Sequence, residues 1–146
     1  MWREPTEDDI VASISQAELD SYKRSANWEA DPVDILCQRA AAYARDHIRS
    51  NPRIILSPNA HEIPESCISP AMDYLAVDVC KRIGQAATDE RKEARKEAID
   101  FFKRIAEGKL IVESYGAEEN QSATGAAAEI VKESRPKMTP EKLEGL

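Results

Sequence analysis

The sequence predicts an all-α protein: a small four-helix bundle followed by an extended C-terminal tail. Two observations predict the helices, because apolar residues recur at spacings of three and four, and capping residues stand where these patterns begin. The third observation is composition. Of the 146 residues, 42% are hydrophobic, 32% are charged and only 5% are aromatic, which suits a single domain with an aliphatic core and a charged helical surface.

The first two predicted helices are short and form a broken pair. Thr6, followed by acidic residues, caps a helix over residues 7–14, since carboxylates stabilise the positive end of a helix. Ser15 and Glu18 form a capping box that starts a second helix over residues 15–25. Such a pair indicates a small helical arm.

Three longer helices are predicted after this arm. They run from the Asp31 cap and Pro32 to Pro52, from the Ser69 cap and Pro70 to Gly84, and from the Thr88 cap to Gly108. Their inward-facing residues are predicted to be Leu36, Ala40, Leu75, Val79, Phe102 and Ile105. Four prolines between residues 51 and 70 exclude one regular element there, and only Arg53–Leu56 is a candidate for a short strand.

The chain beyond residue 112 has the composition of a tail. Residues 1–112 are predicted to form the helical core. Residues 113–146 are predicted to form an extended tail, because so many Ser, Gly, Ala, Asn and Gln residues cannot bury enough surface to fold. Near its end the tail has a small capped apolar cluster, which we expect to dock on a partner. The residues assigned to this docking are Arg135, Met138, Pro140, Leu143 and Leu146.

Acidic and basic residues are segregated along the chain. Residues 1–34 contain nine acidic and three basic residues, whereas residues 35–60 contain one acidic and four basic residues. Surfaces of opposite sign suit a contact between identical neighbours in a ring. The candidate interface residues are Asp8, Asp9, Arg39, Arg45, Arg49 and Arg53. A solvated face with ion pairs inside one subunit explains the same pattern equally well.

The sequence has little of what an enzyme requires. Its two histidines, His47 and His61, have no convincing catalytic partner, and no Gly-x-Ser-x-Gly motif or glycine-rich phosphate loop is present. The three cysteines, Cys37, Cys67 and Cys80, are far apart and form no Cys-x-x-Cys pair. We therefore expect them to be reduced, buried and structural, and we expect no metal or other cofactor.

Targeting signals are not evident in the sequence either. The N-terminus is acidic and has no apolar run, and no stretch of 18 apolar residues occurs. We therefore expect folding in a cytoplasm, without a signal peptide or a membrane. The formal net charge of −7 argues against tight, sequence-independent wrapping of DNA, because such binding is driven by cations that replace counterions on phosphate. It does not exclude a passing contact with DNA.

The order of several short motifs resembles that of the Mu-like prophage neck proteins, a family of phage head–tail connectors of the helical adaptor type. The motifs are Thr6–Ile10 with Glu18–Leu19, Arg39–Ile48, Ile68–Met72 with Leu75–Val79, Phe101–Leu110, and the terminal elements Arg135–Thr139 and Leu143–Leu146. Phe101–Leu110 carries the strongest similarity, since the family ends its last core helix with an Ile-Ala-x-Gly turn. The chain differs in having Met138 where an aromatic residue is usual, and in lacking the tyrosine after the third helix.

The resemblance implies a structural protein without catalytic activity. It implies a twelvefold homo-oligomeric ring in the virion neck, stacked between the portal protein and a downstream neck or tail-terminator protein, and assembled in the cytoplasm of a bacterial host. Double-stranded DNA would pass through the lumen without sequence-specific binding, since an acidic lining removes the attraction that comes from counterion release.

Two other classes of protein remain as alternatives at this point. The first is a stand-alone helical adaptor of a bacterium or prophage, monomeric or dimeric, that binds a partner protein. The second is a small hydrolase or nuclease, which requires a catalytic cluster that the sequence does not show. The mass of the assemblies, with and without the portal protein, separates these classes from a ring.

Overall fold

The computed structural model describes residues 1–116, and the regular secondary structure of this part of the chain is helical apart from two short strands. The all-α prediction is confirmed. The elements are β1 (Trp2–Arg3), α1 (Glu7–Ser13), α2 (Gln16–Lys23), α3 (Pro32–Arg49), β2 (Ile63–Pro64), α4 (Glu65–Arg82) and α5 (Asp89–Ala106). The described residues contain all five predicted helical segments, two of which are the short helices of the broken N-terminal pair.

The arm formed by α1 and α2 is fixed by capping. At α2, the Ser15 hydroxyl accepts a hydrogen bond from the Glu18 N–H at 3.1 Å, and the Glu18 carboxylate accepts one from the Ser15 N–H at 2.9 Å. This is the predicted capping box, and it satisfies two N–H groups that the start of a helix leaves without partners. Both helices of the arm pack against α4.

α3 begins where the sequence predicts. Pro32 is its first residue, and the Asp31 carboxylate accepts a hydrogen bond from the Val33 N–H at 2.9 Å. Just beyond its end, the buried Asn51 donates from Nδ2 to the Ile105 carbonyl at 3.0 Å. The C-terminal ends of α3 and α5 therefore lie side by side.

α4 begins five residues before its predicted start. Pro70, predicted as the first helical residue, lies inside the helix. There it removes one backbone hydrogen bond and crowds the carbonyl four residues earlier, that of Ser66. The actual start is set by a distant contact, since the Glu65 N–H donates to the Met1 carbonyl at 2.8 Å. α4 contacts the other four helices and lies at the centre of the bundle.

α5 begins and ends at the predicted signals. The Thr88 hydroxyl accepts a hydrogen bond from the Arg91 N–H at 3.2 Å. The helix ends at Ala106, and Gly108 follows with a φ of +79°. This left-handed conformation favours glycine, because a side chain would be strained there.

The predicted core is confirmed. Leu36, Ala40, Leu75, Val79, Phe102 and Ile105 are all buried, with at most 4% of any of them exposed. They belong to one apolar cluster to which all five helices contribute. The three cysteines are unbonded as predicted; Cys67 and Cys80 are buried, whereas Cys37 is only half-buried.

The strand predicted at Arg53–Leu56 does not form. β1 and β2 pair instead, antiparallel, with Trp2 opposite Pro64 and Arg3 opposite Ile63. The pairing joins residues about sixty positions apart in the chain, which no local pattern reveals. It brings the N-terminus to the start of α4.

Residues 113–115, predicted as the start of the tail, pack along the body. The Trp2 Nε1–H donates to the Glu113 carbonyl at 2.8 Å, and the Tyr115 N–H donates to the Ile55 carbonyl at 2.8 Å. The compact unit runs from Met1 to Tyr115, three residues beyond the predicted core. The rest of the predicted tail lies outside the described residues.

A partly buried ion pair joins the arm to α5. Arg91 donates from Nη1 and Nη2 to the two carboxylate oxygens of Glu18, at 2.6 and 2.7 Å. The hydrogen bonds from Arg91, followed by those from Ser15, lower the pKa of Glu18 from 4.5 to about 2. Bidentate pairs of this kind are the strong class of charged hydrogen bonds.

We expect Glu18→Gln to lower the free energy of unfolding by about 2 kcal/mol at neutral pH. Because the folded pKa lies below the unfolded value, the stability contributed by the carboxylate is present above about pH 4.5 and is lost as the pH falls toward 2. Urea denaturation at several pH values should show the two proteins converging in acid. Glu29→Gln, at an exposed position, is the control, and a Glu18→Gln loss that stays constant with pH would contradict the ionic role.

Candidate functional site

The two predicted interface residues on α1 differ in their surroundings. The Asp9 carboxylate accepts two hydrogen bonds from the Arg3 guanidinium, at 2.9 and 3.0 Å, and one from the Thr6 N–H at 2.7 Å. The Arg3 contact holds the pKa of Asp9 below its usual value. Asp9 therefore caps α1 and fixes the N-terminal strand. Asp8 is exposed and has no ion-pair partner within residues 1–116, so it keeps its capacity to meet another subunit.

Arg39 belongs to a network that crosses α3, α4 and α5. Its Nη2 lies 3.6 Å from Asp78 Oδ2, and Arg95 donates to Asp78 Oδ1 at 3.2 Å. The Arg95 Cζ lies 4.5 Å from the centre of the Tyr74 ring, which stacks on the Tyr43 ring at 3.9 Å. Contacts between cations and rings stabilise partly exposed surfaces. Arg39 is thus partly engaged within its own subunit.

Arg45 is not on the surface. Only 9% of the residue is exposed. Its guanidinium donates to three backbone carbonyls of the loop before β2, those of Ser57 at 2.9 Å, Asn59 at 3.0 Å and Glu62 at 2.9 Å. Burial therefore removes Arg45 from the predicted interface, since a guanidinium enclosed by its own loop cannot reach a neighbouring subunit.

Arg49 and Arg53 are exposed near the C-terminal end of α3. Arg49 donates to Asp46 at 2.9 Å, and the two side chains are 59% and 70% exposed. An exposed pair at this helical spacing contributes only about 0.3–0.5 kcal/mol, so it exchanges easily for another partner. Arg53 has no ion pair among the residues that the structure describes. Both arginines therefore keep their capacity for an intersubunit contact.

An exposed apolar patch marks the end of the described chain. We call Ile55 and Tyr115 the Ile55 patch; they are 63% and 43% exposed, and the Tyr115 N–H donates to the Ile55 carbonyl at 2.8 Å. Sequence analysis missed it, although the run Ile54–Leu56 lies in a proline-rich loop that cannot bury three successive apolar side chains. The five tail residues predicted to dock, Arg135, Met138, Pro140, Leu143 and Leu146, lie outside the described residues. Exposed apolar patches mark interaction surfaces.

The histidines lie in separate surroundings. His47 Nδ1 is 2.9 Å from the Tyr43 carbonyl, and the His47 ring packs against the Tyr43 and Phe102 rings at 4.6 and 5.7 Å. This is a packing role. His61 is exposed and lines a cleft of about 70 Å³ beside Cys37. Burial, followed by the nearby Asp34 carboxylate, raises the pKa of the Cys37 thiol to about 11, which makes it a poor nucleophile at neutral pH.

We expect iodoacetamide at about pH 8 to modify Cys37 roughly a hundredfold more slowly than a free thiol, because so little of it is thiolate. Cys67 and Cys80 should react only after unfolding, since both are buried and burial raises the pKa of Cys67 to about 12. Mass spectrometry of labelled peptides, with and without urea, measures this. Rapid labelling of Cys37 in the folded protein would contradict it. Replacing all three cysteines by alanine should leave assembly intact.

Within residues 1–116, no group of three or more His, Cys, Asp or Glu side chains is arranged to hold a metal ion. No helix in the same range is both long and apolar enough to cross a bilayer. No protein-family model, curated protein or solved structure matches the chain.

Proposed function

We propose that the protein is a structural neck component of a bacteriophage: a head–tail connector that forms a ring between the portal protein and the next neck or tail component. The observation that carries the proposal is the order of its sequence motifs, which resembles that of the Mu-like prophage neck proteins. The helical body supports it, because Phe101–Leu110 covers the end of α5 and the turn at Gly108, where the family pattern closes its last core helix.

The charged surface of the body suits self-association. A ring joins two different surfaces of each subunit. Asp8 is exposed on α1. Arg49 is exposed at the C-terminal end of α3, and Arg53 is exposed in the loop that follows. Opposite charges on separate elements steer identical subunits into one orientation.

The proposed ring, which the family resemblance implies to be twelvefold, lets double-stranded DNA pass through its lumen without sequence-specific binding. The net charge of −7 per chain supports this, because an acidic surface offers few cations to replace phosphate counterions. The protein would act in the virion neck after assembly in the bacterial cytoplasm. Its partners would be other copies of itself, the portal protein and a downstream neck or tail-terminator protein.

A stand-alone helical adaptor is the second candidate. Ion pairs within the chain favour it, since Asp9, Arg39 and Arg49 each have a partner in their own subunit. This is what a solvated charged face predicts. Such a protein would be a monomer or dimer that binds a partner protein through its exposed apolar residues.

Mass measurement separates the two candidates. The purified chain is measured alone, with portal protein, and with portal-bearing heads, by native mass spectrometry or light scattering. A connector should form a ring on its own or on the portal, with fixed stoichiometry. A monomer or dimer that ignores the portal would overturn the connector and favour the adaptor.

Deleting residues 116–146 should leave the melting temperature of the body unchanged, because the compact unit ends at Tyr115. It should abolish attachment to the partner ring, since the deletion removes the docking cluster. Calorimetry and a head-binding assay measure the two effects. A matched variant keeps the spacer and changes only Met138, Leu143 and Leu146 to serine. Full attachment by the truncated protein would show that the tail is a passive extension.

A further inference from the structure

Two arginines on different helices share one carboxylate on the surface formed by α3, α4 and α5. Asp78 Oδ1 accepts a hydrogen bond from Arg95 at 3.2 Å. Asp78 Oδ2 lies 3.6 Å from Arg39 Nη2, which is too far for a hydrogen bond. Neither arginine has a second ion-pair partner within residues 1–116. Because one carboxylate neutralises only one of the two cations, the group keeps a positive charge.

Two tyrosines lie beside this charge. The Arg95 Cζ stands 4.5 Å from the centre of the Tyr74 ring, and the Tyr74 ring stacks on the Tyr43 ring at 3.9 Å. Burial raises the pKa of the Tyr43 hydroxyl, Tyr74 raises it further and Arg95 lowers it, so these three groups interact. Neither hydroxyl forms a hydrogen bond within the part of the chain that the structure describes. Both hydroxyls are protonated at neutral pH and can donate to a ligand.

We call Arg39, Tyr43, Tyr74 and Arg95 the donor cluster. Its members are accessible and yet held in place. The two arginine side chains are 50% and 27% exposed, and both tyrosines are half-buried. The Tyr43 ring also packs edge-on against the buried Phe102 ring at 5.1 Å. Since stacking already fixes the rings, a ligand would cost little further side-chain entropy on binding.

The chemistry of the donor cluster favours an anion. It offers two guanidinium and two hydroxyl donors against a single acceptor group, the Asp78 carboxylate. Guanidinium N–H groups match the oxygens of phosphate and of carboxylate. Phosphate is the better match, because the donors come from three helices and a tetrahedral phosphate accepts from many directions. The two oxygens of a carboxylate accept mainly in one plane.

We infer that the donor cluster binds a phosphate group, a role that goes beyond the proposed connector and does not depend on it. Arg39, whose contact with Asp78 is the longer one, turns toward the ligand, while Arg95 stays on Tyr74. A nucleic-acid backbone and a free phosphate compound present the same chemistry to the cluster. Contacts to backbone phosphates carry no sequence information, so the site agrees with DNA passage without sequence-specific binding.

Direct binding measurements on the full-length chain test this site. The probes are inorganic phosphate, followed by calorimetry, and a labelled short DNA duplex, followed by fluorescence anisotropy at low salt. At least one probe should bind, and Arg39→Gln should weaken that binding about tenfold. Arg24→Gln is the matched control, since it removes the same charge from an exposed position on another element. The control should leave the affinity within about twofold.

Two further variants should change the affinity in opposite directions. Asp78→Asn should strengthen binding about threefold, because it removes the carboxylate that competes for the arginines. Tyr74→Phe should weaken binding about fivefold, because it keeps the ring stack and removes one donor. A cluster that only packs the three helices would show neither change. The melting temperature of each variant separates a loss of binding from a loss of folding.

The two probes identify the source of the phosphate. Binding of the duplex identifies a nucleic-acid backbone, whereas binding of inorganic phosphate alone identifies a free phosphate compound. The inference would be overturned if neither probe bound, if Arg39→Gln and Arg24→Gln lost equal affinity, or if polyglutamate bound in preference to both. None of these results bears on ring formation, which the mass measurement tests separately.

Discussion

Phe102→Ala should lower the free energy of unfolding by about 3 to 5 kcal/mol, the usual loss when a phenylalanine is removed from a packed core. Phe102 is fully buried, and its ring meets those of Tyr43, Phe101 and His47 at 5.1, 5.2 and 5.7 Å. These rings stand on α3 and α5, whose ends are tied by Asn51. Urea denaturation measures the loss.

Ile99→Ala is the control for this change, since it truncates a large apolar residue of the same helix that is 42% exposed. Its cost should be below about 0.5 kcal/mol. Phe102→Leu should fall between the two, because leucine refills part of the cavity. A Phe102→Ala loss under about 1 kcal/mol would mean that this face of α5 does not pack in the core.

Local signals were sufficient for the helices whose starts are local. Asp31, Ser15 and Thr88 each cap a helix through a hydrogen bond to a backbone N–H two or three residues later. The predicted start of α4 was wrong because the sequence alone does not distinguish a proline at the first helical position from a proline inside a helix. The first N–H of α4, that of Glu65, donates to the Met1 carbonyl, and only the folded chain supplies this distant partner.

The charged residues were harder to assign than the apolar ones. Arg45 lies four residues after Ala41 and three before Ile48, both buried, so its position within the apolar stripe was a readable sign of burial. The prediction overlooked this sign because it grouped Arg45 with the other arginines of the basic segment. Asn51 gave no such sign, because its partner, the Ile105 carbonyl, lies 54 residues away. The Ile55 patch likewise depends on a contact between residues far apart in the chain, since Ser114 and Tyr115 return to bond with Ile55.

Arg45→Met should lower the free energy of unfolding by about 2 to 4 kcal/mol, because carbonyls that lose their charged donor are left without a partner. The three acceptors, Ser57, Asn59 and Glu62, span the loop that leads into β2. Methionine fills similar space but donates nothing. Chemical denaturation measures the loss, and hydrogen exchange at the Glu62 amide reports loop opening.

Arg49→Met, one turn later and exposed, is the matched control and should cost less than about 0.5 kcal/mol. Arg45→Lys should be intermediate, since an ammonium group cannot reproduce the planar fork that reaches three carbonyls. If Arg45→Met matched Arg49→Met in stability and in exchange, the guanidinium would not organise this loop.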